Sequence, residues 1–240
     1  MRIVVTNCNT TQEMTEEIVR GARAAAGPGT TVSGLTPAWG PASAEGWLDS
    51  YLSAAAVLDT LRTYDGPPYD AVVMAGFGEH GREGVRELVD APVVDITEAA
   101  AHLACLLGRR YGVVTTLERS RGQIEDSLET AGVARNCAAI VGTGLHVLDL
   151  GDEERTETAF LAAAERACAA GAEVLVLGCA GMTGLQRVVG EKLGLPVVDG
   201  VAAAVKLAES LVALGLTTSR IGTYVEPLPK RRVWGRPEPR

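Results

Sequence analysis

Aromatic side chains are scarce: Phe, Trp and Tyr make up 4% of the 240 residues. A core in this chain must therefore be built from Ala, Val and Leu, the make-up of parallel sheets packed under Ala-rich helices. Long apolar runs are missing too. No stretch reaches the ~20 residues that a membrane span needs. The N-terminus, MRIVVTNCNT, reads as a first strand and lacks the apolar stretch and cleavage site of a secretory signal. The five cysteines (Cys8, Cys105, Cys137, Cys168, Cys179) are odd in number and contain no CxxC. That argues against a disulfide framework or a zinc site and for free thiols in a cytoplasmic protein. Positive charge is short as well: the net charge is −8 and the body of the chain has no basic patch. Nucleic acid is excluded as an expected partner, and a small-molecule substrate remains. GTG at Gly142 to Gly144 is too short for a nucleotide loop, and the dinucleotide fingerprint is absent. No cofactor and no metal ion is expected.

What the chain does have is alternation. Eight short runs rich in Val, Ile and Leu begin at Ile3, Thr30, Ala71, Pro92, Gly112, Cys137, Glu173 and Pro196. The Ala-rich segments between them run to about 10–20 residues, the length of crossover helices. The pattern predicts an α/β fold of parallel sheets with helices on both faces.

The chain also repeats itself. DAVVMAGFGEHGREGVRELVDAPVVDITEAA (Asp70 to Ala100) aligns with AEVLVLGCAGMTGLQRVVGEKLGLPVVDGVAAA (Ala172 to Ala204), with one residue inserted. MRIVVTN at Met1 resembles RYGVVTT at Arg110. Two similar lobes related by a pseudo-two-fold axis are expected: residues 1–99 with about 205–219, and residues 100–204. The Pro- and Arg-rich segment 220–240 reads either as a solvated tail or as an arm on a neighbouring subunit. Ligands of open α/β sheets sit beyond the carboxyl ends of the strands, so one site between the lobes is expected.

The repeat places Gly76, in AGFGEHG (Ala75 to Gly81), opposite Cys179, in LGCAGM. A helix is predicted to start near Thr183. A thiol at such a helix N-terminus is expected to have a lowered pKa. The structural alternative for Cys179 is a buried residue that ends a strand.

These motifs resemble the aspartate/glutamate/hydantoin racemase superfamily, and within it the hydantoin and allantoin racemases. VTNCNTT (Val5 to Thr11) is similar to the family's N-P-N-T-T/S loop, and AGFGEHG to A-C-F-G-D-P-G. VVDITEAA (Val93 to Ala100), GVVTT (Gly112 to Thr116) and VLGCAGM followed by PVVDG complete the likeness, which covers about Met1 to Ser219. The resemblance implies cofactor-independent racemisation by two cysteines. One removes a proton beside a carbonyl and the other returns it from the opposite face, while backbone N–H groups of the glycine turns bind the enolate oxygen. It also implies a homo-oligomer.

The family's first cysteine falls on Gly76, which carries no proton. Three repairs are open. Glu79 or His80, in the same turn, could be the second acid or base; alternatively Glu79 caps the helix from Arg82 and His80 is solvated. Cys8, which stands where the family has proline, could supply the second thiol, or merely fill a turn. Or the reaction is one-sided, as in arylmalonate decarboxylases of the same superfamily. A ligand-binding protein on the same scaffold is a third reading. Expected substrate contacts are Asn9, Gly76, Phe77, Gly78, Thr115, Thr116, Gly178, Ala180 and Gly181. Thr10 or Thr11 is the alternative cap of the first helix. Trp39 and Trp47 flank a Pro/Gly segment that reads as a lid or a subunit contact, and His146 as a residue of the cleft mouth.

Overall fold

The computed structural model describes residues 1–234. Each of the eight apolar runs forms a strand: β1 Arg2–Thr6, β2 Thr31–Leu35, β3 Ala71–Met74, β4 Val93–Asp95, β5 Tyr111–Thr115, β6 Cys137–Gly142, β7 Val174–Leu177 and β8 Val197–Val198. They make two four-stranded parallel sheets, ordered β2-β1-β3-β4 and β6-β5-β7-β8. The two orders are the same, so the internal repeat in the sequence is a repeat of topology.

Among the described residues seven α-helices connect the strands and an eighth follows β8: α1 Gln12–Ala25, α2 Trp47–Arg62, α3 Arg82–Leu88, α4 Ile96–Leu107, α5 Arg121–Thr130, α6 Glu153–Ala169, α7 Gln186–Leu193 and α8 Gly200–Ala213. The two PVVD runs are cut short as strands because their aspartates turn outward as helix caps. Asp95 accepts from the N–H groups of Thr97 and Glu98, and Asp199 from those of Val201 and Ala202. Such caps satisfy N–H groups that would otherwise have no partner.

Neighbouring strand residues point to opposite faces. Val4, Val72 and Val93 pack against Val57, Leu61 and Val85 of α2 and α3. Ile3, Val5, Val73 and Val94 face the other way, into a core shared with Val113 and Val176 of the second sheet. Helices α4 and α8 lie in that shared core. Their Ala99, Ala100, Ala104, Ala203, Ala204 and Ala208 are fully or almost fully buried. Small side chains let the two helices pack closely, which accounts for the shortage of aromatics. The two helices also cross over: α8 packs on β3 and β4, whereas α4 packs on β5 and β7.

The segment after α8 lies on its own chain. The Arg220 guanidinium donates to the carbonyls of Arg86 and Glu87 at the end of α3 and to Asp90. Basic side chains stabilise carbonyls at a helix C-terminus in this way. Tyr224 donates to Glu83, and Arg62 lies over the Trp234 ring at 5.0 Å. Arg220, Tyr224 and Trp234 thus touch the first lobe, while Ile221, Val225, Leu228 and Val233 between them are exposed; Arg236, Pro237, Pro239 and Arg240 lie outside the described residues.

Candidate active site

Loops at the carboxyl ends of β1, β3, β5 and β7 meet in one cleft between the sheets. The β1 loop is held by Asn7. Its Oδ1 accepts from the Cys8 N–H at 2.7 Å, and its amide nitrogen donates to Asn9 Oδ1 at 2.9 Å and Thr15 Oγ1 at 3.0 Å. Asn9 Oδ1 also takes the Thr11 N–H. The Asn9 amide oxygen is therefore used inside the loop, and its NH2 group lies beside Met14 at the cleft wall. Thr11 is the residue before α1, yet its hydroxyl does not cap the helix; it donates to the Ala42 carbonyl, and Thr10 N–H donates to Pro41. Both threonines tie the β1 loop to the 37–46 segment and make no part of the cleft wall.

Gly76 follows β3. A Cβ added there would lie 2.8 Å from Cys8 Cβ and 3.0 Å from Cys8 Sγ, and it would collide with Cδ2 of His80. Real side chains do not approach so closely. The space that a residue at 76 would need is already taken by Cys8 and His80. The His80 ring is buried, with Nε2 3.3 Å from the Phe77 carbonyl and Nδ1 3.4 Å from Ser50 Oγ. Burial lowers its pKa, against the pull of the Phe77 carbonyl, so the ring is neutral near pH 7. It presents carbon, not nitrogen, to the Gly76 space.

Cys179 follows β7 and lines the same cleft. No α-helix starts at Thr183. A 3₁₀ turn spans Ala180–Met182, and α7 starts only at Gln186. Burial pushes the Cys179 thiol up to about 11, with the Gly181 N–H opposing and the Glu45 charge adding to the rise. Cys8 is pushed up to about 12, first by burial and then by the charge of a Cys179 thiolate. The lowered thiol pKa expected at this turn is thus replaced by a raised one: desolvation outweighs a single N–H. The two thiols are near enough to resist being ionised together.

The cleft is narrow, with about 30 Å³ of free space, room for one or two water molecules. Ala44 and Val147 form part of its wall, and Glu45 bridges the lobes beside them. Its carboxylate accepts from Val147 N–H at 2.8 Å and faces His146 Nδ1 at 3.1 Å. Among the described residues, no three His, Cys, Asp or Glu side chains could hold a metal ion, and no helix is long and apolar enough to cross a membrane.

The pattern of the Asp/Glu/Hydantoin racemase family matches residues 3–208. The chain belongs to this racemase family. It is 38% identical to a hydantoin racemase of Paenarthrobacter aurescens over 234 residues, 96% of this chain and 99% of that one. An allantoin racemase structure from Pseudomonas fluorescens superposes with a TM-score of 0.95 at 52% identity, covering 97% of this chain and all of that one. An allantoin racemase from Klebsiella pneumoniae gives 0.92 at 40% identity, covering 96% and 95%.

Set against the racemase motifs, the expected contacts divide. Cys8, Asn9, Gly76, Phe77, His80, Thr115, Thr116, Gly178, Cys179 and Ala180 all line the cleft. Glu79 does not: its carboxylate accepts from Gly81 N–H at 2.8 Å and faces Arg82, outside the cleft wall. It holds the turn before α3. Gly78 and Gly181 are also outside the wall. The Gly78 N–H donates to Thr97 Oγ1 at 2.8 Å and the Gly178 N–H to the Val114 carbonyl at 2.7 Å, so neither is free for an enolate oxygen. The N–H groups of Phe77 and Ala180, in matching places of the two lobes, make no hydrogen bond among the described residues. Thr115 donates to the Gly178 carbonyl at 3.0 Å, while the Thr116 hydroxyl has no bond among the described residues.

Ser120 and Gln123 line the cleft as well and were not expected from the motifs. A signal was present in SRGQIEDSL: Ser120, Gln123 and Ser127 share one helical face with Ile124 and Leu128, and that face is buried.

Proposed function

We propose that this protein is a cofactor-independent racemase of a five-membered cyclic ureide, a 5-substituted hydantoin or allantoin, with Cys8 and Cys179 as its two acid/base groups. The observation that carries the reading is the position of Cys8 Sγ, 3.0 Å from the place where a side chain at 76 would start. A cysteine at 76 would project its thiol into the space that the Cys8 thiol holds. In this reading the second thiol has moved from the β3 loop to the β1 loop without leaving the cleft.

One thiolate removes the proton from the carbon beside the carbonyl. The N–H groups of Phe77 and Ala180 receive the developing enolate oxygen. The thiol on the other side then returns a proton to the opposite face, and the two groups exchange protonation states. Mutual repulsion keeps the two thiols from ionising together, so when one is a thiolate the other stays protonated and can donate. His80 is a positioning residue that fills the space beside Gly76 and keeps Cys8 in place.

The choice of substrate rests on charge. Among the described residues no Lys, Arg, Asp or Glu lines the cleft, and its neutral imidazole, amides and hydroxyls suit an uncharged ring. The names of the similar hydantoin and allantoin racemases support the same class. A one-sided decarboxylase would leave Cys8 without a task. Self-association belongs to the proposal too: α2 presents Leu48, 72% exposed, beside Tyr51 and Leu52, a face that a second copy would cover. Light scattering at a multiple of 25.0 kDa checks it.

Polarimetry tests the reaction. Enantiopure allantoin and 5-methylhydantoin, incubated with the protein and EDTA, are expected to lose optical rotation far faster than in buffer. Unchanged rotation with release of carbon dioxide from an arylmalonate would support the one-sided reaction instead. Binding without any turnover would point to the ligand-binding reading.

A further inference from the structure

Gln123 projects from α5 of the second lobe into the cleft and meets the glycine turn of the first. Its Cγ and Cδ lie 3.5 and 3.6 Å from the Cβ position of Gly78. The residue is 2% exposed, and its Oε1 is fully buried without a hydrogen-bond partner. Its Nε2 makes no hydrogen bond among the described residues either. Buried amides are almost always paired, and an unpaired one requires an explanation. Helix α5 offers none: Ser127, one turn further along the same face, lies within reach of the Arg82 guanidinium, whereas Gln123 faces the cleft.

We infer that Gln123 is the residue that recognises the substrate, by pairing its carboxamide with a cis-amide edge of the ring. A carboxamide carries an acceptor and a donor side by side. A cyclic ureide has the complementary pair, N–H next to C=O, fixed cis by the ring. Two antiparallel hydrogen bonds then satisfy both groups. A carboxylate has acceptors only and leaves Gln123 Oε1 without a partner. The residue thereby separates ring ureides from the free amino acids that other members of this family name act on. The inference rests on the racemase reading for its substrate class, and it adds the residue that selects that class.

The test uses the full-length protein, Gln123→Met and Gln123→Glu, with 5-methylhydantoin and its N1-methyl and N3-methyl derivatives as probes. Racemisation is followed by polarimetry and binding by calorimetry. In the native protein, methylation of the paired edge is expected to weaken binding and kcat/KM by about ten- to a hundredfold. In Gln123→Met the parent ring weakens by a similar factor, and its advantage over that derivative falls to within about threefold. Gln123→Glu also loses the parent ring, because a carboxylate cannot donate. The melting temperature of Gln123→Met is expected to be unchanged or higher, since the unpaired amide makes no bond in the free protein. Undiminished discrimination in Gln123→Met overturns the inference. So does an equal loss on all three rings with a lower melting temperature, which marks a structural role. Absence of turnover in the native protein would overturn the racemase reading instead, while the calorimetric comparison still decides the role of Gln123.

Discussion

Cys8 Sγ lies 3.0 Å from the point where a side chain on Gly76 would begin. The two residues are far apart in the chain, one after β1 and one after β3, yet they share one volume, together with His80. The motif likeness puts Pro, Cys and Pro at these three places in the hydantoin branch, and this chain has Cys, Gly and His. The three differences belong to one packing problem. Gly76→Ala is expected to lower stability by about 1–3 kcal/mol through overpacking, measured by urea unfolding. Cys8→Pro alone should lose activity. The triple variant Cys8→Pro/Gly76→Cys/His80→Pro should regain it, because it restores one thiol and frees its space. A triple variant as inactive as Cys8→Pro would separate the two positions.

The pH dependence follows from the raised thiols. Catalysis needs one thiolate, and burial pushes Cys179 up to about 11 and Cys8 up to about 12. Thiolate is therefore scarce in the free protein at neutral pH. The quantity kcat/KM, which reports the free enzyme and free substrate, is expected to climb about tenfold per pH unit from about pH 7 to 8.5, where the ring is still uncharged. A plateau starting near pH 7 would show an already ionised thiol. Stability moves the other way. A raised thiol pKa gives its full contribution below the ordinary value of about 8.5 and loses it as pH rises toward the folded value.

Glu45 joins the two lobes over the cleft through Val147 N–H and His146. Burial opposes its charge, but these partners outweigh burial and hold the carboxyl below the usual range. The bridge is thus present above the ordinary glutamate pKa of about 4.3 and is lost as pH falls below it. The cleft has room for only one or two waters, so a ring enters only if its walls move, and Glu45 ties two of them together. Glu45→Ala is expected to change KM and kcat together, as mutations at closing loops do, and to speed hydrogen exchange over residues 41–47 and 145–147. Unaltered exchange there would remove Glu45 from the closure.

Arg82 lies 1% exposed beneath the β3 turn. It donates to Glu83 at 2.7 Å and faces Glu98 at 3.6 Å and Asp95 at 3.9 Å. Removing Arg82 would leave the buried Asp95 without a cation, while Glu83 and Glu98 would keep Arg86. Arg82→Met is expected to cost about 3–5 kcal/mol, read from denaturant unfolding. A loss under about 1 kcal/mol would mean that the acids take up protons at no cost.

The fold could be read from the chain because buried parallel strands are continuous apolar runs, and because the repeat carries Asp95 and Asp199 to the same capping place. The cleft was legible where motifs follow strands, as at Cys8, Gly76, Thr116 and Cys179. It was not legible where long-range packing decides. Glu79 could be read either as a proton carrier or as a cap of the helix from Arg82, and only the packing shows its carboxylate turned back to Gly81 and Arg82. The helix expected at Thr183 starts later because Thr183 is extended and Gly184 takes φ 101°, a conformation that stops a helix. The rise in thiol pKa depends on how tightly two lobes close, and Gln123 reaches the site from a helix that carries no motif.

The central claim is that Cys8 and Cys179 act on opposite faces of one carbon, and proton exchange in deuterium oxide tests it most directly. Each enantiomer of 5-methylhydantoin is incubated with the native protein, Cys8→Ser and Cys179→Ser, and α-deuteration and optical rotation are followed together. The native protein should racemise both enantiomers with deuterium incorporation. Each variant should lose racemisation by about 10²–10⁴-fold, and any exchange that remains should be confined to one enantiomer with its rotation kept, the opposite enantiomer for each variant. Racemisation by Cys8→Ser at the native rate would contradict the account, because the second proton carrier would then be another group.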